Sequence, residues 1–422
     1  MVFPATSDQE MSPKAPCLSA WTYLLPVLLL AVSAALCIHL WGTSTGDSPR
    51  YLQLARNLAD GHGFSAAKAP PYQPEVFRAP LYPLFLAGLM RCGLGIPAMI
   101  VVQLLLHLIG AWCTARLLTT AGARPGLGLL AATAACAHPA MVRWSSAITT
   151  ESLCMVLFCA TALLLTQYLV APSPRRAVFL GLCWAALFLV RTEFVVLAPV
   201  LLFFAALRGW RTAPRTLAYL LLAMAVPSTA WVARNLAVVP GVSRPFGAGA
   251  GMTLWIRSVE IREPDIPKRD SFLHDPRFLT LSYGTDPRAA YEADGQLGKE
   301  ALEVFRQHPG EFASGAVVKA IFREWVEHYS PGLPRLLLLA ATAVSTGLLL
   351  LSFGGLYLAW RCYPLLRAAA TLCLIIGAVH AIGGTEARYT TPVRPVLYVF
   401  AALSIAPLFD RLRGTGPMRL TE

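Results

Sequence analysis

Long apolar runs recur along the chain, each close to the length of one bilayer crossing and each set off from the next by a break that carries arginine. Residues 21–40, 98–118, 127–140, 153–170, 217–236, 336–360, 365–382 and 389–408 read as spans, a helical pattern and not the two-residue alternation of a β-barrel. Between Arg175 and Trp210 the apolar run is interrupted by Arg191 and Glu193. One long helix there would send Arg208, Arg211 and Arg215 to the opposite side from the other basic breaks. Two helices of about 15 residues, each reaching ~22 Å, keep them together. The pattern predicts an all-α polytopic membrane protein with about ten transmembrane helices.

Two shorter stretches break this rhythm. After the first span comes GDSPRYLQLARNLADGHG, residues 46–63. Pro49 presets a first helical turn, Asp47 or Ser48 can cap it, and Gly61 can close it in the left-handed conformation. Tyr51, Leu54, Ala55 and Leu58 form one apolar stripe, with Arg50, Gln53, Arg56, Asn57 and Asp60 around it, so this helix should lie along the membrane surface. The prolines that follow forbid a continuous helix until Pro80 or Pro83, and residues 81–89 then read as an apolar helix too short for a ~30 Å core. Kept on the outer surface, it places the clusters Arg116/Arg124, Arg175/Arg176, Arg208/Arg211/Arg215, Arg361/Arg367 and Arg411/Arg413/Arg419 on one side, as the positive-inside rule requires.

The chain divides into a membrane module over 1–236 with a first outer loop at 42–97, an extramembrane region over 237–331, and closing spans with a short inner tail over 332–422. In the middle region, GKEALEVFRQHPGEFASGAVVKAIFREWVEHY reads as two amphipathic helices broken at Pro309. Asp265, Asp270, His274, Asp275 and Asp286 match no ligand spacing and read as solvated surface. The run from Gly247 to Gly251 lacks the strand-then-helix setting of a nucleotide loop.

With 422 residues, 56% hydrophobic and 14% charged, composition agrees with many spans. The net charge of +12 lies in short loops between spans, a topology signal and not a nucleic-acid footprint. Ten cysteines, with no C-x-x-C, sit mostly inside spans and read as small buried hydrophobes. The first run is longer than a signal-peptide core and is expected to be retained as an anchor.

The outer ends of the spans gather two acids, Asp47 and Glu151, and the bases Arg78, Arg143, Arg191, Arg234, Arg388 and Arg394, with Asn235, Tyr51, Tyr82, Tyr389 and Glu386 nearby in the sequence. Arginine grips phosphate oxygens and stabilises a leaving phosphate, and a carboxylate can deprotonate or orient a nucleophile. Each has a plainer reading: Asp47 as a helix cap, Glu151 as a helix-start acid, Arg191 and Glu193 as a structural pair at a turn, and Arg394 facing a polar cavity inside the last span. A transporter or lipid flippase would also have many spans and buried charges, but the two halves here differ and the charges gather at one face. A passive scaffold gives no reason for the arginines.

DSPRYLQLARNLADGHGFS, FRAPLYPLFLAGL, TTESL, WVARN with its Gly-rich follower, HPGEF and EARYTTPVRPVL occur in that order. In them the chain resembles the GT-C class of integral-membrane glycosyltransferases, family 39 type, with its protein O-mannosyltransferases and lipid A aminoarabinose transferases. The resemblance implies a polyprenyl-phosphate sugar donor, inverting transfer to a lipid, glycan or protein at the extracytoplasmic face, and a place in a bacterial inner membrane. It makes Asp47 the base or orienting acid and gives Glu151 the place of a second acid. Arg78 takes a carrier-phosphate position; Arg191, Arg234 and Arg388 are further phosphate-binding members. Tyr51, Tyr82, Arg143, Asn235, Tyr389 and Arg394 are pocket candidates. The protein mannosyltransferases often pair two acids where this chain has Asp47 followed by Ser48, which weakens a protein-mannosylating role. Some class members use a divalent metal, but the chain has no dedicated ligand set, and no cofactor is expected to be required.

Overall fold

A computed structural model describes residues 24–242, 244–262, 274–315, 335–383 and 388–412. The N-terminal tail, Asp265, Asp270, Glu386, the second half of the expected amphipathic pair and the last residues of the tail lie outside them.

Every described element is a helix or a turn. The bundle is built from α1 (Leu24–Trp41), α4 (Ile96–Thr120), α5 (Pro125–Ala137), α7 (Glu151–Val170), α8 (Pro174–Val190), α9 (Leu197–Thr212), α10 (Pro214–Val238), α15 (Arg335–Cys362), α16 (Leu366–Ile382) and α17 (Arg394–Leu412). Among the described residues six segments are long and apolar enough to cross a membrane, or seven if the bent pair of α5 and α6 (Pro139–Ser145) forms one span, with α16 and α17 as shorter apolar helices. The protein is integral to the membrane. Close crossings use small residues: a side chain at Gly128 would strike the backbone of Ala115, and one at Gly355 would strike the carbonyl of Phe400.

The run after Arg175 is two helices and not one. Arg191 is extended between α8 and a 3-10 turn, Thr192–Val196, that leads into α9. The third span ends earlier than the 140 expected: His138, held extended by the proline that follows it, ends α5, and the chain turns 64° into α6. The last span starts at Arg394 rather than 389, with Pro395 in its first turn, a position where the missing N–H costs nothing.

Beside the bundle, α2 (Ser48–Ala59) packs against α3 (Leu81–Arg91). At 11 residues, α3 is about 16 Å long and too short to cross. Tyr51, Leu54 and Ala55 of the apolar stripe of α2 are buried and Leu58 partly so, and Asn57 of the polar side is buried too, its amide donating to the carbonyls of Ser65 and Ala67. A second core outside the bundle joins α11 (Ala250–Arg262), α12 (Pro276–Tyr283) and α13 (Pro287–Gln307) around Trp255, Leu281, Leu297 and Ala301. Pro309 does break this unit, starting α14 (Pro309–Ser314). Asp275 and Asp286 are not merely solvated: each accepts two backbone N–H groups at the start of α12 and α13, the N-cap role that satisfies orphan donors. His274 is exposed.

Candidate active site

Asp47 stands at the N-terminal end of α2 but its side chain does not cap the helix. Ser48 holds the approach instead, its hydroxyl donating to the carbonyl of Ile148 and accepting from the N–H of Thr45, both at 2.8 Å. The carboxylate thereby turns outward between two guanidinium groups. Oδ1 accepts from Arg78 at 2.5 Å and Oδ2 from Arg388 at 2.7 Å. The partners come from the segment between α2 and α3 and from the turn before the last helix, 31 and 341 residues away. Burial pushes the Asp47 carboxyl up, but Arg78 and then Arg388 outweigh it and hold it well below the usual carboxylate range.

Aromatic rings frame the arginines. Arg78 lies over Phe77 and Tyr51, at 4.5 and 5.2 Å from the ring centres, and Arg388 over Tyr389 and Trp144, at 5.0 and 5.9 Å. Burial pushes the Tyr51 hydroxyl up to about 12, so it stays neutral. Tyr82 packs edge-on against Tyr51, and its hydroxyl donates to Gln103, which is tied in turn to the carbonyls of Ser145 and Ala147. Arg78 Nε is buried and makes no hydrogen bond among the described residues.

A second charged group adjoins through Tyr389, whose ring carries Arg191 at 4.7 Å. Arg191 contacts Glu193 at 2.9 Å and approaches Glu151 at 3.8 Å, and His380 stands 3.5 Å from Glu193. Glu151 is 3% exposed at its side chain, and its Oε2 makes no hydrogen bond among the described residues. It is both the first residue of α7 and a member of this network.

Glu75, which sequence reasoning passed over, organises the support. Its carboxylate takes Arg50 at 2.6 Å and the backbone N–H groups of Phe77 and Arg78, which fixes the segment that carries Arg78. Arg234 donates to the carbonyl of Glu75 and to Asn235, whose amide holds the carbonyl of Pro245. Arg234 and Asn235 thus brace the site from behind. The one sign of Glu75 in the sequence is a lone acid between prolines and Arg78. His380 gave no sign, since a single histidine in an apolar span reads as core.

Two candidates fall elsewhere. Arg143 donates to the carbonyl of Gly42 and stacks near Trp41 and Trp144, holding the first loop to α6. Arg394 is 2% exposed, donates to Thr390 and lines with His138 and Tyr398 a separate cavity of about 10 Å³, space for a single water. Among the described residues no group of three or more His, Cys, Asp or Glu is placed to hold a metal ion.

No family model and no curated protein matches the sequence. Solved structures do. The archaeal oligosaccharyltransferase AglB from Archaeoglobus fulgidus, in complex with an inhibitory peptide and a dolichol-phosphate, aligns with a TM-score of 0.51 and 13% identity over 95% of this chain and 53% of its own. ArnT from Cupriavidus metallidurans bound to undecaprenyl phosphate aligns at 0.41 and 16% identity over 94% of this chain and 81% of its own. Its apo state gives the same score and identity over 93% and 80%. The fold is that of the GT-C class of polytopic membrane proteins. The chain spans about half the length of AglB, and at these identities the likeness is one of fold.

Proposed function

We propose that the protein transfers a sugar from a polyprenyl-phosphate carrier to an acceptor at the extracytoplasmic face, with inversion. The observation that carries this reading is the Asp47 carboxylate held between Arg78 and Arg388, drawn from opposite ends of the chain and turned away from the capping role its position offers. A structure that needed only a cap would not bury two cations there. The AglB structure, which shares the fold, holds a dolichol-phosphate.

In this reading the carrier phosphate is gripped by Arg78, whose Nε has no other bond among the described residues, and by Arg388. As phosphate takes the guanidinium groups, Asp47 loses its two cationic partners and regains proton affinity. It then accepts the proton of an acceptor O–H or N–H as that oxygen or nitrogen attacks the anomeric carbon. The bond from that carbon to the phosphate oxygen breaks, the electron pair leaves on the phosphate, and the arginines stabilise it. Arg191 and Glu151 flank this centre, while Arg234 and Asn235 position the segment that bears Arg78.

The test is a reconstitution in vesicles with a polyprenyl-phosphate sugar. Release of polyprenyl phosphate that depends on an acceptor and disappears in Asp47→Asn is expected. Movement of the intact lipid-linked sugar across the bilayer, without cleavage and unaffected by Asp47→Asn, would show a flippase instead.

A further inference from the structure

The extramembrane unit holds an open cleft of about 530 Å³ between Arg244, α11 and α13, within the size range of small-ligand sites. One wall is a single face of α13, with Tyr291, Gly295, Gln296, Lys299 and Leu302 at helical spacing, and Leu254 of α11 lies opposite. Gly295 borders open space, since a Cβ there would meet no atom within 4 Å, and a large side chain in its place would project into the cleft.

The cleft carries two cationic side chains, one of them loosely paired. Arg244 is 46% exposed and approaches the buried Asp294 at only 3.5 Å, while Asp294 Oδ1 is already taken by the N–H of Met252 at 2.9 Å. Lys299 adds a second cation, and Glu292 is the one lining carboxylate. The hydrogen-bonding groups on the α13 wall belong to side chains, because the helix consumes its own backbone groups. Strand addition by a peptide needs free backbone partners, whereas a sugar takes side-chain partners for its hydroxyls and an apolar edge such as Leu254 and Leu302.

A chain of interactions runs from the cleft toward the Asp47 site. The Tyr291 hydroxyl is buried, makes no hydrogen bond among the described residues and feels the charge of Arg234. Arg234 in turn holds the Glu75 segment that leads to Arg78. The same unit is pinned to α2 by Arg50, which donates to the carbonyls of Ser282 and Gly284.

We infer that this cleft binds a saccharide bearing a carboxylate or phosphate; that this saccharide is the acceptor rests on the transferase reading above. The experiment places the purified full-length protein on an array of hexuronate oligosaccharides, phosphorylated oligosaccharides, their neutral counterparts and acidic peptides. Wild type, Lys299→Glu and Gly295→Leu are compared, with melting curves and undecaprenyl phosphate binding measured beside them. Wild type is expected to retain acidic saccharides about tenfold better than neutral ones, and both variants to lose that preference with unchanged melting. Equal retention of neutral sugars, preference for acidic peptides, no saccharide retained, or undiminished binding in both variants overturns the inference. Acidic saccharides held by a protein that binds no undecaprenyl phosphate would uphold the cleft and overturn the transferase reading alone.

Discussion

Asp47 shares its charge with two arginines, and its ionisation follows from them. A carboxyl whose pKa falls on folding stabilises the folded state above its unfolded value of about 3.9, and that contribution is lost as pH drops through the lower folded value. With the Asp47 carboxyl held below the usual range, kcat/KM, which reports the free enzyme, should show no acid limb from Asp47 between about pH 5 and 8. Arg388→Gln should bring that limb upward, and a pH profile checks both. Asp47→Asn should slow transfer by about 10²-fold or more yet bind the carrier phosphate at least as well as wild type, since the competing carboxylate charge is gone. Binding and turnover measured on the same preparation separate these effects. Glu75 is almost fully buried against Arg50, and Glu75→Ala should cost about 3–5 kcal/mol, the usual result of stranding one partner of a buried pair. A fall in melting temperature together with weaker carrier binding is the expected sign, because the Arg78 segment is released as well.

At the scale of elements, packing makes a separate prediction. Gly355 of α15 faces the carbonyl of Phe400 in α17, where even a methyl group has no room. Gly355→Val should therefore lower thermal stability, by about 1–3 kcal/mol if the helices can shift apart. Much of this layer was legible in the sequence. Prolines and charges set the surface position of α2 and α3, and the arginine-bearing breaks selected two short helices around Arg191 over one long one. What stayed hidden depended on contacts between distant segments. Nothing local tells that Ser48 would take the role of securing the turn and free Asp47, that Glu75 would fold back onto Phe77 and Arg78, or that Arg394 would turn toward His138 and Tyr398 and not toward Asp47. The bend at His138 was readable from Pro139, but the apolar run on both sides masked it. The caps made by Asp275 and Asp286 each precede a proline, a helix-start pattern that the solvated-surface reading of these acids does not use.

For the whole molecule, the positive-inside rule applied to the basic clusters predicts that the end of the bundle bearing them faces the cytoplasm. Two native cysteines report on this directly. Cys92, at the end of α3, is exposed, and Cys362, at the end of α15 beside the basic break at Arg361, is partly buried. A membrane-impermeant maleimide added to intact cells should label Cys92 and leave Cys362 until the membrane is opened; the reverse pattern would invert the topology. With that orientation, the Asp47 centre and the second core lie outside, where a lipid-linked donor and an external acceptor can meet. The most direct test of this account is native mass spectrometry of mildly solubilised wild type and Arg78→Ala, each supplied with undecaprenyl phosphate. The account predicts a bound carrier on wild type that is lost from Arg78→Ala. A wild type that binds none, or a variant that binds it undiminished, would contradict the phosphate site built around Asp47.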